Sequence, residues 1–353
     1  MHEAPVDEDD LHQVLDQAHS DLLALAGARL FITGGTGYIG RWLLEALAYA
    51  NRHLDLDLRA TVLSRHPGAF AWASGDLVAG NWLDWVAGDV RDFPFPDGSF
   101  TQAIHAATDV IATHSPLHTY EVTTAGTRRV LDLCRERGAR DVLLLSSGAV
   151  YGAVHPPLER VPEDHPCRPD LSAPQAAYGV GKLVSEWLGS AYSDAYGLSC
   201  KSARVFAQVG PRIPLDKQFA VGNFVRDALR RAPFVIQGDG TPRRSYLYAS
   251  DLVVWLLAIL VRGQGGQAYN VGSDQDLSIL ELAQRVAKVA GVERPDIQIL
   301  SQPSPDRPHQ WYVPDISRAR HELGLDIHIP LDDALARTIA WCRRCMTPGA
   351  DRP

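Results

Sequence analysis

Apolar residues fall along this chain in two alternating rhythms. Short unbroken apolar runs are followed by stretches with a period near 3.6 residues, and turn residues separate the two. The short runs predict strands at Arg29–Thr33, Leu58–Ser64, Trp85–Gly88, Thr101–Ala106, Asp141–Ser146 and Ser199–Phe206. The helical rhythm predicts helices at Gly40–Ala50, Thr123–Arg137 and Ala177–Tyr192. Strands that are apolar at nearly every position suit a parallel sheet covered on both faces. The alternation of strand and helix therefore predicts an α/β fold with a doubly wound (Rossmann) parallel sheet. After about Gly210 the rhythm breaks into short elements between proline and glycine clusters. This part reads as a smaller C-terminal substrate-binding lid, with some segments returning to the main sheet. The expected organisation is an acidic, partly helical extension at 1–26, a dinucleotide-binding domain at 27–210, the lid at 211–345 and a tail at 346–353.

Gly34, Gly37 and Gly40 lie where the first strand turns into the first helix. A tight turn, a close approach of backbone to pyrophosphate, and close helix–strand packing require them in that order. The helix start, at Tyr38, Ile39 and Gly40, offers free N–H groups to phosphate. The residue that chooses between the nicotinamide cofactors stands at the end of the second strand. A carboxylate there binds the ribose 2′-hydroxyl of NAD, and an arginine favours the 2′-phosphate of NADP. This chain has Ser64-Arg65 and no acid. The pair leans to NADP, although Arg65 can equally lie over adenine or in solvent while NAD is held by other contacts. Asp89, after the third strand, can accept a hydrogen bond from the adenine amino group.

Composition narrows the choice of partner. Apolar residues make up 46% and charged residues 22%, as in an ordinary globular chain. A net charge of -8 argues against nucleic acid as the main partner. No apolar run is long enough for a membrane span. The acidic start MHEAPVDEDD is unlike a signal peptide, so a cytoplasmic location is expected. Cys342 and Cys345 have C-x-x-C spacing without a second pair. They read as helix-face cysteines, and no metal site is expected.

Tyr178 and Lys182 stand four apart and so share one helix face. A neighbouring ammonium stabilises phenolate and lowers a tyrosine pKa from about 10 toward neutrality. Tyr178 can then serve as acid and base for a substrate hydroxyl or carbonyl. Ser146-Ser147 ends the fifth strand, where strand carboxyl ends line the ligand crevice. A hydrolase built on Ser147 would need a partnered histidine, and His105 and His114 are candidates only by abundance.

These motifs together resemble the extended short-chain dehydrogenase/reductases that act on nucleotide sugars. The resemblance runs from about Arg29 to about Trp341. It rests on Thr33-Gly-Gly-Thr-Gly-Tyr-Ile-Gly40, Gly88-Asp-Val, His105-Ala-Ala, Ser146-Ser-Gly-Ala-Val-Tyr-Gly152, Tyr178-Gly-Val-Gly-Lys182, Gly210-Pro-Arg212 and Arg244-Ser-Tyr-Leu-Tyr-Ala-Ser-Asp251. It implies Ser147, Tyr178 and Lys182 as the catalytic set, with Lys182 also on the nicotinamide ribose. Val90, Ala106 and Ala107 are implied along the cofactor. Arg244 and Arg307 are implied on the pyrophosphate of a nucleotide-sugar substrate, and Asn223 near the nucleotide's β-phosphate or base.

Three departures bear on the reaction. The family's 4,6-dehydratases carry Asp-Glu where this chain has Gly148-Ala149, and the UDP-glucuronate decarboxylases carry Glu where Ala149 stands. Ala207 replaces an asparagine that often contacts the substrate phosphate. The resemblance then implies hydride transfer at sugar C4 through a 4-keto intermediate. An epimerase is favoured, from the likeness of Ser146–Gly152 to UDP-galactose and UDP-glucuronate 4-epimerases. The alternatives are an NADPH-dependent keto-sugar reductase, a decarboxylase-like enzyme, and a non-catalytic dinucleotide sensor. The resemblance also implies a homodimer paired through the helices around Thr123–Arg137 and Ala177–Tyr192.

Overall fold

The computed structural model describes residues 4–68, 81–108, 115–303 and 310–346. The chain begins with helices α1 (Glu8–Gln17) and α2 (His19–Leu23). Strand β1 (Arg29–Thr33), helix α3 (Tyr38–Leu54), β2 (Arg59–Ser64), β3 (Leu83–Ala87) and β4 (Gln102–His105) follow. Next come α4 (Pro116–Arg137), β5 (Asp141–Ser147), α5 (Ala177–Tyr196) and β6 (Ser199–Val205). The remaining elements are shorter on average: β7 (Gln208–Val209), α6 (Ala220–Arg230), β8 (Phe234–Ile236), β9 (Arg243–Ser245) and β10 (Leu247–Tyr248). They continue with α7 (Ala249–Arg262), β11 (Ala268–Val271), β12 (Asp276–Ser278), α8 (Ile279–Ala290) and β13 (Ile297–Ile299). The described part closes with β14 (Trp311–Tyr312), α9 (Ser317–Leu323) and α10 (Leu331–Met346).

The main sheet has seven strands in the order β11-β6-β5-β4-β1-β2-β3. Every pairing in it is parallel. The order reverses direction between β1 and β4, so a crevice opens at their carboxyl ends, where ligands bind in such sheets. The six expected strands are all present, with ends shifted by one or two residues. The seventh, β11, is a strand returning from the C-terminal half. Its Ala-Tyr-Asn-Val sequence carries a polar residue, Asn270, whose amide Nδ2 donates to Val161 and Asp315 carbonyls, 2.8 and 3.0 Å away.

Helix α4 begins seven residues before the apolar rhythm does. Ser115 caps it by accepting from the His118 N–H, and Pro116 occupies the first turn. Its early apolar residues, Leu117 and Tyr120, face outward and so do not register as a buried stripe. Helix α7 was hidden for the opposite reason. It is buried on nearly all sides, Asp251 included, and so lacks the polar face that marks an amphipathic helix. It packs in one core cluster with β1, α3 and β6 residues, whereas α6, α8 and α10 enclose a second cluster in the C-terminal half.

The N-terminal extension belongs to the body. Val14, Leu15, Leu22 and Leu25 are buried in the same cluster as α3 and α7. The buried Asp10 carboxylate accepts from the Tyr248 phenol at 2.6 Å and pairs with Arg337. Asp21 pairs with Arg262 at 2.7 Å. These contacts tie the first helices to β10, α7 and α10.

Candidate functional site

The glycine turn is built for a ligand that approaches backbone. Gly34 has φ +72°, and a Cβ there would stand 2.5 Å from the Ala106 carbonyl carbon. A Cβ on Gly40 would lie 2.2 Å from Gly34 O, so this position admits only glycine where α3 leaves the turn. Gly37 is exposed and caps α3, whose first N–H groups lack intrahelical partners. Thr36 and Gly37 thus leave an open cradle at a helix N-terminus, which fits a dinucleotide pyrophosphate. Tyr38 and Ile39 form the first turn of α3. The Tyr38 ring turns inward between the two main core clusters, and a Cβ on Gly210 would lie 3.1 Å from its hydroxyl.

Ser64 is buried, and its hydroxyl accepts from the His66 N–H at 3.2 Å. Arg65 is exposed. Asp89 accepts three hydrogen bonds from Arg91, at 3.0 Å to its N–H, and at 2.8 and 3.1 Å to its guanidinium. Those bonds hold the Asp89 carboxyl below its usual range, with the more distant Arg65 acting in the same direction. The Val90 side chain packs against α4 at Gly126, where a Cβ would meet it at 2.8 Å. Ala106 and Ala107 face the glycine turn, and the Ala107 N–H donates to Thr33 Oγ1 at 3.2 Å.

The proposed catalytic residues converge at the carboxyl end of β5. Ser147 Oγ accepts from the Ala149 N–H at 3.2 Å, and Ser147 is near enough to Tyr178 to lower its phenol pKa against the larger effect of burial. Ser146 points the other way. Its hydroxyl donates to Glu186, which is bound in turn by the Arg204 guanidinium. Lys182 is buried, and Nζ donates to Thr108 Oγ1 at 2.8 Å and to the Leu145 carbonyl. It lies 5.9 Å from the centre of the Tyr178 ring. The sequence led to the expectation that Lys182 lowers the Tyr178 pKa. In the folded chain burial dominates both groups: it raises the Tyr178 phenol well above its ordinary value and brings the Lys182 ammonium down to about 7. His105 is held by Thr33 and Thr127, and burial brings it down to about 3. A neutral imidazole occupied at both nitrogens is not the base of a serine hydrolase.

Arg244 lies half-buried on β9, with its guanidinium 5.4 Å from the centre of the Tyr312 ring. Asn223 lies on α6, where its carbonyl accepts from Arg226 at 3.2 Å. Arg307 and His114 lie outside the described residues. Two residues were not anticipated from the sequence. Thr108 receives the Lys182 amine, and Tyr312 places its hydroxyl 3.3 Å from Ser147 Oγ. Cys342 is buried and Cys345 exposed on α10, and no cluster of metal-ligating side chains occurs among the described residues.

Residues 30–272 match the model of the NAD dependent epimerase/dehydratase family. The chain belongs to that family. It is 32% identical to UDP-glucuronic acid decarboxylase 5 of Arabidopsis thaliana over 87% of each chain. It is 29% identical to UDP-glucuronic acid decarboxylase 6 of the same plant, over 87% of this chain and 86% of the relative. Solved structures share the fold. An epimerase from Methanothermobacter thermautotrophicus superposes with a TM-score of 0.76 at 23% identity, covering 94% of this chain and 96% of that one. The dTDP-glucose 4,6-dehydratase DesIV of Streptomyces venezuelae, solved with NAD and TYD bound, gives 0.75 at 24% identity over 90% and 97%. This NAD dependent epimerase/dehydratase chain is therefore an enzyme of the nucleotide-sugar-modifying group. No helix among its described residues is long and apolar enough to cross a membrane.

Proposed function

We propose that this enzyme is a nucleotide-sugar 4-epimerase that works through a 4-keto intermediate with NAD as its resident cofactor. The observation that carries this reading is what surrounds the Ser147, Tyr178 and Lys182 set. The next two residues are Gly148 and Ala149, which have no titratable group. A Cβ at 148 would stand 2.7 Å from the Phe206 ring, so the acid of a dehydratase would need that ring to shift.

The cofactor would be held by the Gly34–Gly40 turn, by Ala106 and Ala107, and by Lys182. When bound, it supplies a hydride acceptor and donor at the sugar carbon. The chain's own part is the proton. Tyr178 takes the proton of the sugar hydroxyl as the carbonyl forms and returns it when the carbonyl is reduced. Ser147 holds the same oxygen in place. Lys182, with Nζ 5.9 Å from the centre of the Tyr178 ring, would bond the nicotinamide ribose, and Arg244 would bind the diphosphate with its fork of donors. Arg307 is placed on the same diphosphate, and Asn223 near the nucleotide, by the resemblance alone.

Decarboxylation is the second reading, because the relatives named above are UDP-glucuronic acid decarboxylases. By the family resemblance Ala149 falls where a decarboxylase carries Glu, which weighs against it. Reduction by NADPH is the third, supported by the exposed Arg65 beside a site with no acid. Releasing the bound cofactor from purified protein and identifying it by mass separates the reductase from the two cycles that regenerate NAD, and product analysis separates those two. Tightly held NAD, followed by interconversion of C4 epimers in an NMR assay on a nucleotide-sugar panel, is the expected result. An empty site that prefers NADPH, or release of carbon dioxide from UDP-glucuronate, would overturn the epimerase reading. The exposed apolar residues Leu117 and Tyr120 on α4 and Trp187 on α5 support pairing of two subunits through these helices.

A further inference from the structure

Tyr312 reaches the catalytic centre from the far side of the crevice. Strand β14 runs parallel to β9 and sets Tyr312 opposite Arg244. The ring packs on Phe206 with centroids 4.7 Å apart, and the Arg244 guanidinium stands 5.4 Å from its centre. These contacts fix the ring and aim the hydroxyl. Tyr312 Oη lies 3.3 Å from Ser147 Oγ and 3.5 Å from the Val205 carbonyl, and the phenol of Tyr178 is a near neighbour.

We propose that Tyr312 is a third hydroxyl of the proton-transfer site, donating with Ser147 to the sugar oxygen on which Tyr178 acts. The proposal rests on the nucleotide-sugar reading of the site. The Tyr312 proton can rotate between the Val205 carbonyl, Ser147 and a substrate oxygen without leaving the phenol. No bond to carbon or hydrogen is broken at Tyr312. Its service is a fixed dipole that meets negative charge as it gathers on the sugar oxygen. Burial supports this role, since it raises the Tyr312 phenol and keeps it a neutral donor. The charged and titratable groups facing it are Tyr178 and Arg244, with Lys182 behind Tyr178. Because Gly148 and Ala149 offer no polar side chain, Tyr312 supplies a donor that the β5 end lacks.

Tyr312→Phe keeps the ring and hence the Phe206 and Arg244 contacts. In the cofactor-loaded full chain it should lower kcat by about 10- to 100-fold, with KM changed less than about 3-fold. A second measurement does not need turnover. With tyrosines labelled at 13Cζ and the Tyr178 signal assigned by Tyr178→Phe, removing the neutral Tyr312 hydroxyl takes a donor from the Ser147–Tyr178 pair and should shift the Tyr178 titration to higher pH by about half a unit or more. Unchanged kcat in Tyr312→Phe would overturn the proposal, and so would an unmoved Tyr178 titration. If the wild-type chain turned over no nucleotide sugar, the epimerase reading would fail on its own, and the titration would still decide the place of Tyr312.

Discussion

The hydroxyl of Thr33 and Nδ1 of His105 lie 2.7 Å apart beneath the glycine turn. The same Thr33 oxygen accepts the Ala107 N–H, and its own proton goes to His105 Nδ1 in the tautomer that leaves Nε2–H to donate to Thr127. His105 Nε2 then donates to Thr127 Oγ1 at 3.1 Å, and Thr127 passes its proton to the Thr123 carbonyl at 2.7 Å. Ser185, one turn after Lys182, joins Thr127 at 2.8 Å. The chain of bonds thus links the cofactor turn to both helices beside the catalytic pair. His105→Ala leaves Thr33 and Thr127 buried without this partner, at about 1–3 kcal/mol. Calorimetric titration with NAD should show affinity reduced about 5- to 150-fold. Unaltered affinity and melting temperature would show that the relay positions nothing.

Gly148 predicts a failed conversion. Substituting the dehydratase acid, Gly148→Asp, sets a side chain against the Phe206 ring, where a Cβ would already be 2.7 Å away. Overpacking of this kind costs about 1–3 kcal/mol. The variant should melt lower and form no 4-keto-6-deoxy product in an absorbance assay at high pH. Appearance of that product in the single variant would mean that Phe206 yields easily, and the steric case against dehydration would fall.

The parts of this molecule legible in its sequence are those where one local rule acts alone. Buried parallel strands such as Asp141–Ser147 read directly as apolar runs, and Gly34, Gly37 and Gly40 as a phosphate turn. Ser147 could be told from Ser146 only once the fold turned Ser146 toward Glu186 and Arg204. Tyr312 left no signal, because a two-residue strand has no period and its meaning comes from pairing with β9. The expected fall in the Tyr178 pKa considered only charge. Burial, which sequence spacing does not reveal, proved the larger influence. Whether Arg65 serves a 2′-phosphate was equally hidden, since its exposed side chain has no fixed neighbour in the sequence to oppose it.

Trp187 is 65% exposed on α5, an unusual place for so large an apolar ring in a lone subunit. Helices α4 and α5 run side by side, joined by Tyr192 to Asp132 at 2.7 Å. A pairing face on these helices should fail when charged. Trp187→Glu should move the protein from dimer to monomer in light-scattering chromatography while leaving the fold intact by circular dichroism. A wild-type chain that is monomeric at micromolar concentration would refute the pairing.

Lys182 makes stability depend on pH in a direction that can be worked out. Burial lowers its folded pKa to about 7, below the ordinary lysine value of about 10.4 that holds in the unfolded chain. Below pH 7 both states carry the proton, and the folded state bears the full cost of burying a charge. Between about 7 and 10.4 the unfolded chain binds more protons, so folded stability climbs as pH rises, by at most about 1.4 kcal/mol per unit for one proton. Lys182→Met fills similar space and removes this titration, although it also frees Thr108 and the Leu145 carbonyl from the amine. In urea unfolding at matched cofactor loading, the methionine variant should gain on wild type toward pH 6 and lose that advantage toward pH 10. Parallel stability curves across that window would show that Lys182 is charged and solvated in the folded chain, contrary to its buried position. Turnover should be lost in the variant at every pH, because methionine cannot hold the ribose.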